Sequence, residues 1–246
     1  HNGKAVTITY EGQSAQTSAL SVSKANQIGF AFTEESPKEV DYSPNGTFTV
    51  KAEGGSGTGN VTYAVASGTD VISISGDTVT ILKAGTATIT ATKAEDGDYN
   101  KATATLTVTV EKATPTVTPP QAVENLTFTG EAQALITAGT TTGGTLVYSL
   151  EQNGEYTETI PTGTDAKAYT VWYKVNGDEN YNNTTAQSVS VSIGKAAATV
   201  TKAPEAVTGL TYTGNPQDLV TAGEAEGGTM QYSTEENGTY STDIPT

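Results

Sequence analysis

Two loops and one aromatic side chain hold the residue types in this chain that could do chemistry. Glu95-Asp96-Gly97-Asp98-Tyr99-Asn100 and Asn176-Gly177-Asp178-Glu179-Asn180 each crowd several oxygen donors into a few residues. Such loops suit a hard cation, calcium above all. Neither has the twelve-residue spacing with a terminal Glu, and Asp, Asn and Gly are equally the residues of a tight turn. Asp96, Asp98, Asp178 and Glu179 are thus the metal candidates, with turn chemistry the preferred account and no metal or cofactor expected. The third feature is Trp172, the one tryptophan. An outward-facing indole on a sheet can stack a sugar ring, or it can cover a loop, a seam or the sheet edge. No second platform aromatic stands near it in sequence, which favours packing.

Catalytic arrangements are harder to build. The single histidine is His1 and there is no cysteine, so neither a Ser-His-Asp nor a Cys-His set can be assembled. Paired carboxylates could serve glycoside hydrolysis. With 27 Asp and Glu, mostly at turns, such pairs arise by chance. The expectation is a protein that is not an enzyme.

Charge narrows the partners. The formal net charge is −15 and the chain contains no arginine, which removes bidentate reading of phosphate or guanine. Nucleic acid is excluded as a partner, and an anionic membrane surface would repel the chain. No run approaches the roughly 18 apolar residues of a membrane span.

The elements that must position these residues are strands. Tyr169, Val171, Tyr173 and Val175 alternate with Thr170, Trp172 and Lys174, and Val189, Val191 and Ile193 alternate with serines. Period-two alternation buries one face and leaves Trp172 exposed on the other. The same hairpin pattern occurs at 85–113 and at 3–25, where Val6, Ile8 and Tyr10 look toward Leu20 and Val22. Each copy closes on Lys-Ala, at Lys24-Ala25, Lys112-Ala113 and Lys195-Ala196. Upstream, Gln27–Phe32, Thr47–Ala52, Asn60–Ser67 and Val71–Leu82 read as short strands, the last folded at Ser75-Gly76-Asp77. Leu126–Thr162 and Leu210–Thr246 match at 21 of 37 positions with an offset of 84. Tyr63, Tyr148 and Tyr232 hold one strand position in three successive units and should point to the core.

These repeats divide the chain into residues 1–24 (closing hairpin of one unit), 25–112, 113–194, and 195–246 (front half of another). The seams are too short to be flexible linkers. The fold expected is all-β: tandem β-sandwiches forming an elongated rod. Head-to-tail self-association through the two partial units is a further expectation, since each leaves a strand edge or core face open.

The run NVTYAVASGTDVISISGDTVTILKAGTATITAT, with KAGTATITAT at 83–92, resembles the bacterial immunoglobulin-like (Big-type) domains of surface and secreted proteins. Residues 113–246 are similar to the immunoglobulin-like repeats arrayed in large bacterial surface proteins. The resemblance implies a non-catalytic, extracellular spacer and adhesion array, secreted or attached to the cell surface, with a host or cell-wall glycan or protein as partner. The alternative is a carbohydrate-binding module or an accessory region of a secreted polysaccharide-degrading enzyme, with Trp172 as the ligand residue. Some surface domains carry a Lys–Asn isopeptide bond. The closing strands Thr103–Val110 and Ser188–Ile193 contain no Asn or Asp, so that staple is rejected.

Overall fold

The computed structural model describes residues 6–16 and 22–246; His1 and Leu20 lie outside them. No helix occurs among the described residues, and the architecture is all-β with immunoglobulin-like sandwiching. The chain forms two compact units. Of the described residues, the first holds 6–16, 22–118, 140–146 and 174–185, the second 119–139, 147–173 and 186–246.

In the first unit a four-stranded sheet runs in the order Lys38–Asp41, Ala102–Glu111, Gly85–Lys93, Val61–Ser67. A three-stranded sheet of Thr47–Thr49, Thr78–Ile81 and Ile72–Ser75 supplies the other side of the same core. The threonine-valine alternation of the long strands explains this division. Ala87, Ile89, Leu106, Val108 and Val110 are buried from one sheet, and Ile72, Val79 and Ile81 from the other. The register places Ile89 opposite Leu106 and Ala87 opposite Val108, so the apolar sets coincide. Each fully buried aliphatic side chain here contributes about 1.5–3 kcal/mol. Gly68 closes the Val61–Ser67 strand at φ +74°, where a Cβ would come within 2.7 Å of Ala87; only glycine fits.

Two local readings change. Lys38–Asp41 is a strand that pairs parallel to residues 108–111, although its charged sequence gave no strand signal. The strand Thr7–Tyr10 pairs with Gln13–Gln16, a partner nearer in sequence than the expected Leu20 and Val22, of which Leu20 lies outside the described residues. Glu11 and Gly12 both have positive φ, which makes a two-residue hairpin turn and brings the chain straight back. Val22 is exposed.

The second unit contains residues 147–149, 168–173 and 187–192 of a three-stranded sheet made by Thr145–Ser149, Ala168–Asn176 and Gln187–Ser192. Leu135, Ile136, Val147, Tyr148, Val171, Tyr173, Val191 and Ile193 are buried in it. Residues 195–246 repeat the local bonds of 113–162. Leu219 N–H donates to Pro245 O as Leu135 N–H does to Pro161 O, and Tyr232 pairs with Ser241 as Tyr148 pairs with Thr157. Cover differs, because Leu135 is 0% exposed and its counterpart Leu219 is 41% exposed.

Candidate functional site

The two acidic loops follow one plan. The carboxylate of Asp96 turns back on its own loop, where Oδ1 accepts the N–H of Asp98 at 2.9 Å and of Tyr99 at 2.8 Å. Its Oδ2 accepts the N–H of Thr58 at 2.6 Å and the Thr58 hydroxyl at 3.2 Å. These donors, Thr58 foremost, hold the Asp96 carboxyl down at about 2. Asp178 repeats the figure. Oδ1 accepts the N–H of Asn180 at 2.7 Å and of Tyr181 at 2.9 Å, and Oδ2 accepts the N–H of Gly144 at 3.0 Å. Its pKa is lowered too, first by Asn180, with Gly144, Tyr181 and the charge of Lys112 adding to the effect.

Each aspartate is therefore a staple. It shapes its own turn as an Asx motif and ties that turn to the facing loop. Among the described residues, no group of three or more His, Cys, Asp or Glu is gathered closely enough to hold a metal ion. The other two candidates go elsewhere. Asp98 contributes its carbonyl, which accepts the N–H of Ala25 at 2.8 Å. Glu179 extends its carboxylate to Lys83 Nζ at 3.2 Å.

What the loops hold is the Lys-Ala seam. Ala25 donates to Asp98 O, and Asn100 N–H donates back to Ala25 O at 2.8 Å. Ala113 donates to Asn180 O at 3.0 Å, and Asn182 N–H returns to Ala113 O at 2.8 Å. Asn100 Nδ2 reaches Lys24 O at 3.3 Å, as Asn182 Nδ2 reaches Lys112 O at 2.9 Å. Lys24 pairs with Glu95 at 2.9 Å, while Lys112 Nζ donates to the Asp178 carbonyl at 2.6 Å. The sequence signal for this clasp is Asp-x-x-Tyr-Asn, at 96–100 and again at 178–182. It was legible as a recurrence. Its partner, the Lys-Ala seam about 70 residues earlier, was not.

Trp172 is half-buried, which corrects the expectation of an exposed indole. The parity argument holds, since Val171, Tyr173 and Val175 fill the buried face. Trp172 stands on the opposite face, with Ser188 directly across from it. Among the described residues, no ring stacks on it. An open cavity of about 460 Å³ lies elsewhere in the second unit, bordered by Tyr148, Ser149, Glu151 and Glu155. Ser149 Oγ there accepts the N–H of Glu151 at 3.1 Å, a turn contact.

No family model matches the chain, and no curated protein does. Among solved structures the chain is similar to Drosophila N-cadherin EC1-3, at 14% identity over 75% of this chain and 72% of that one, TM-score 0.26. It is similar to Sidekick-1 immunoglobulin domains 1–5, at 11% identity over 76% of this chain and 42% of that one, TM-score 0.30. A third is a SusE-like surface located polysaccharide binding protein from the Bacteroides thetaiotaomicron heparin utilisation locus. That pair shares 13% identity over 84% of this chain and 40% of the other, TM-score 0.28. Among the described residues, no helix is long and apolar enough to cross a membrane.

Proposed function

We propose that this chain is a non-catalytic, extracellular repeat array of a bacterial surface or secreted protein, serving as spacer and adhesion segment. The observation that supports the reading is the doubled seam clasp. At Ala25 and again at Ala113 the residue that opens a repeat is hydrogen-bonded on both sides by a downstream loop of that same repeat. A seam held in this way leaves little slack in the chain, which is the property a spacer needs. In this reading residues 25–112 and 113–194 are whole repeats, and 1–24 and 195–246 belong to repeats on either side.

A second reading, a carbohydrate-binding module or accessory region of a polysaccharide-degrading enzyme, draws on Trp172, whose half-exposed face leaves ring surface for a sugar. A glycan array on the chain separates the two. The spacer reading expects no saccharide bound at micromolar affinity. Micromolar binding that disappears in Trp172→Ala would replace it with the second reading.

A further inference from the structure

The 178–181 loop does more than clasp its own seam. It also meets the end of the first sandwich, within the first compact unit. Asn180 Oδ1 accepts the N–H of Ala84 at 2.9 Å. Glu179 reaches Lys83, whose ammonium is shared with Asp70 at 3.8 Å. The Tyr181 ring stands edge-on to Tyr42, with centroids 5.5 Å apart and planes at 83°. Tyr42 is fixed in turn by its own N–H, which donates to Glu111 O at 2.8 Å beside the seam. A hydrogen bond, an ion pair and a ring contact thus converge on residues 42, 83 and 84.

None of these side-chain contacts is needed to form the clasp, which uses the carbonyl of Asn180 and the N–H of Asn182. They are also not generic to the loop. The positions that match Glu179 and Asn180 in the earlier loop are Gly97 and Asp98, and a glycine has no side chain to pair with a lysine.

We propose that Tyr42, Lys83 and Ala84 form a docking face for the 178–181 loop, so that the Lys112-Ala113 seam is a cooperative joint. The first sandwich and the loop that follows it then open together, because opening either one gives up the contacts of both. The partner is a segment of the same chain, recognised by an amide acceptor, a carboxylate and a phenol ring. The joint goes beyond the spacer reading and has a separate readout.

Native-state hydrogen exchange on the whole chain tests it. In the wild type, amides of Ala102–Glu111 and of residues 178–185 should share one opening constant at low denaturant. Asn180→Ala removes the acceptor for Ala84 but keeps the backbone clasp. The Ala84 amide should then exchange at least tenfold faster, and the two segments should acquire separate opening constants. Asn180→Asp keeps an acceptor and should restore Ala84 protection, which a change that merely unfolded the loop would not do. Tyr181 also packs against Gly143, so the ring contact is cut from the receiving side with Tyr42→Leu, expected to separate the two constants as well. Unchanged Ala84 exchange in Asn180→Ala, or separate constants already in the wild type, overturns the joint. Neither result bears on glycan binding, so failure of the joint and failure of the spacer reading are distinguishable.

Discussion

The phenol oxygen of Tyr63 lies 2.9 Å from the amide nitrogen of Ala52 and accepts its hydrogen bond. Tyr148 does the same for Gly139 at 3.2 Å, and Tyr232 for Gly223 at 2.9 Å. At three places along the chain a tyrosine hydroxyl thus satisfies a backbone donor on another segment. A buried N–H left without an acceptor costs about 1–3 kcal/mol. Tyr148→Phe should lower stability by that amount in urea denaturation, because Tyr148 is 4% exposed. Tyr232→Phe should cost less, since that residue is half-buried and water can replace the acceptor.

Acid should loosen the loops before the cores. The Asp96 carboxyl sits at about 2 in the folded chain, below its ordinary value of about 3.9. Its folded pKa is depressed, so the unfolded chain takes up the proton first as pH falls. The stabilisation from Asp96 is whole above about pH 4 and is lost as pH drops through about 2. Asp178 adds to the same slope, its pKa also being lowered. Denaturation midpoints measured between about pH 5 and 2 should fall, and Asp96→Asn should flatten that fall.

Trp172→Ala should cost about 1–2 kcal/mol, the share of apolar burial expected for a half-covered indole. Thermal melting checks it. No change in melting temperature would mean that the ring packs on nothing, and would return Trp172 to the exposed position that alternation suggested.

Leu106→Ala in the first sandwich should cost about 2–5 kcal/mol, because the leucine is fully buried and its neighbours come from two facing sheets. Leu82→Ala, at a 43% exposed position, should change stability by no more than about 0.5 kcal/mol. Equal losses at the two sites would contradict the sandwich core.

Calcium and chelator should leave the melting temperature unchanged to within about one or two degrees, since a ligand stabilises only by binding the folded state. A rise of several degrees with calcium that is lost in Asp96→Ala or Asp178→Ala would show that these carboxylates leave their N–H donors for a cation.

Much of the fold was written along the chain. The alternation in GTATITATK and ATATLTVTV determined which residues of Gly85–Lys93 and Ala102–Glu111 are buried, because neighbouring side chains on a strand point to opposite faces. The fold at Ser75-Gly76-Asp77 was legible too, as Ile72–Ser75 and Thr78–Ile81 pair around it. The Lys38–Asp41 strand was not, because its pairing is parallel with a partner about 70 residues away and its own composition says nothing of that partner. Trp172 shows the same division: parity placed it on the outer face, and only the folded chain shows it half-buried there. The seams show it most fully. Read in sequence, Lys24-Ala25 and Lys112-Ala113 carry little acid, and the acidic loops look like separate turns. Folding brings Glu95 to Lys24 and Asp178 to Lys112, and spends the aspartates on backbone N–H groups. Residue type and period are local properties that a sequence carries openly. Which distant N–H a carboxylate will meet depends on how the strands between them pair, and only the tertiary structure decides that.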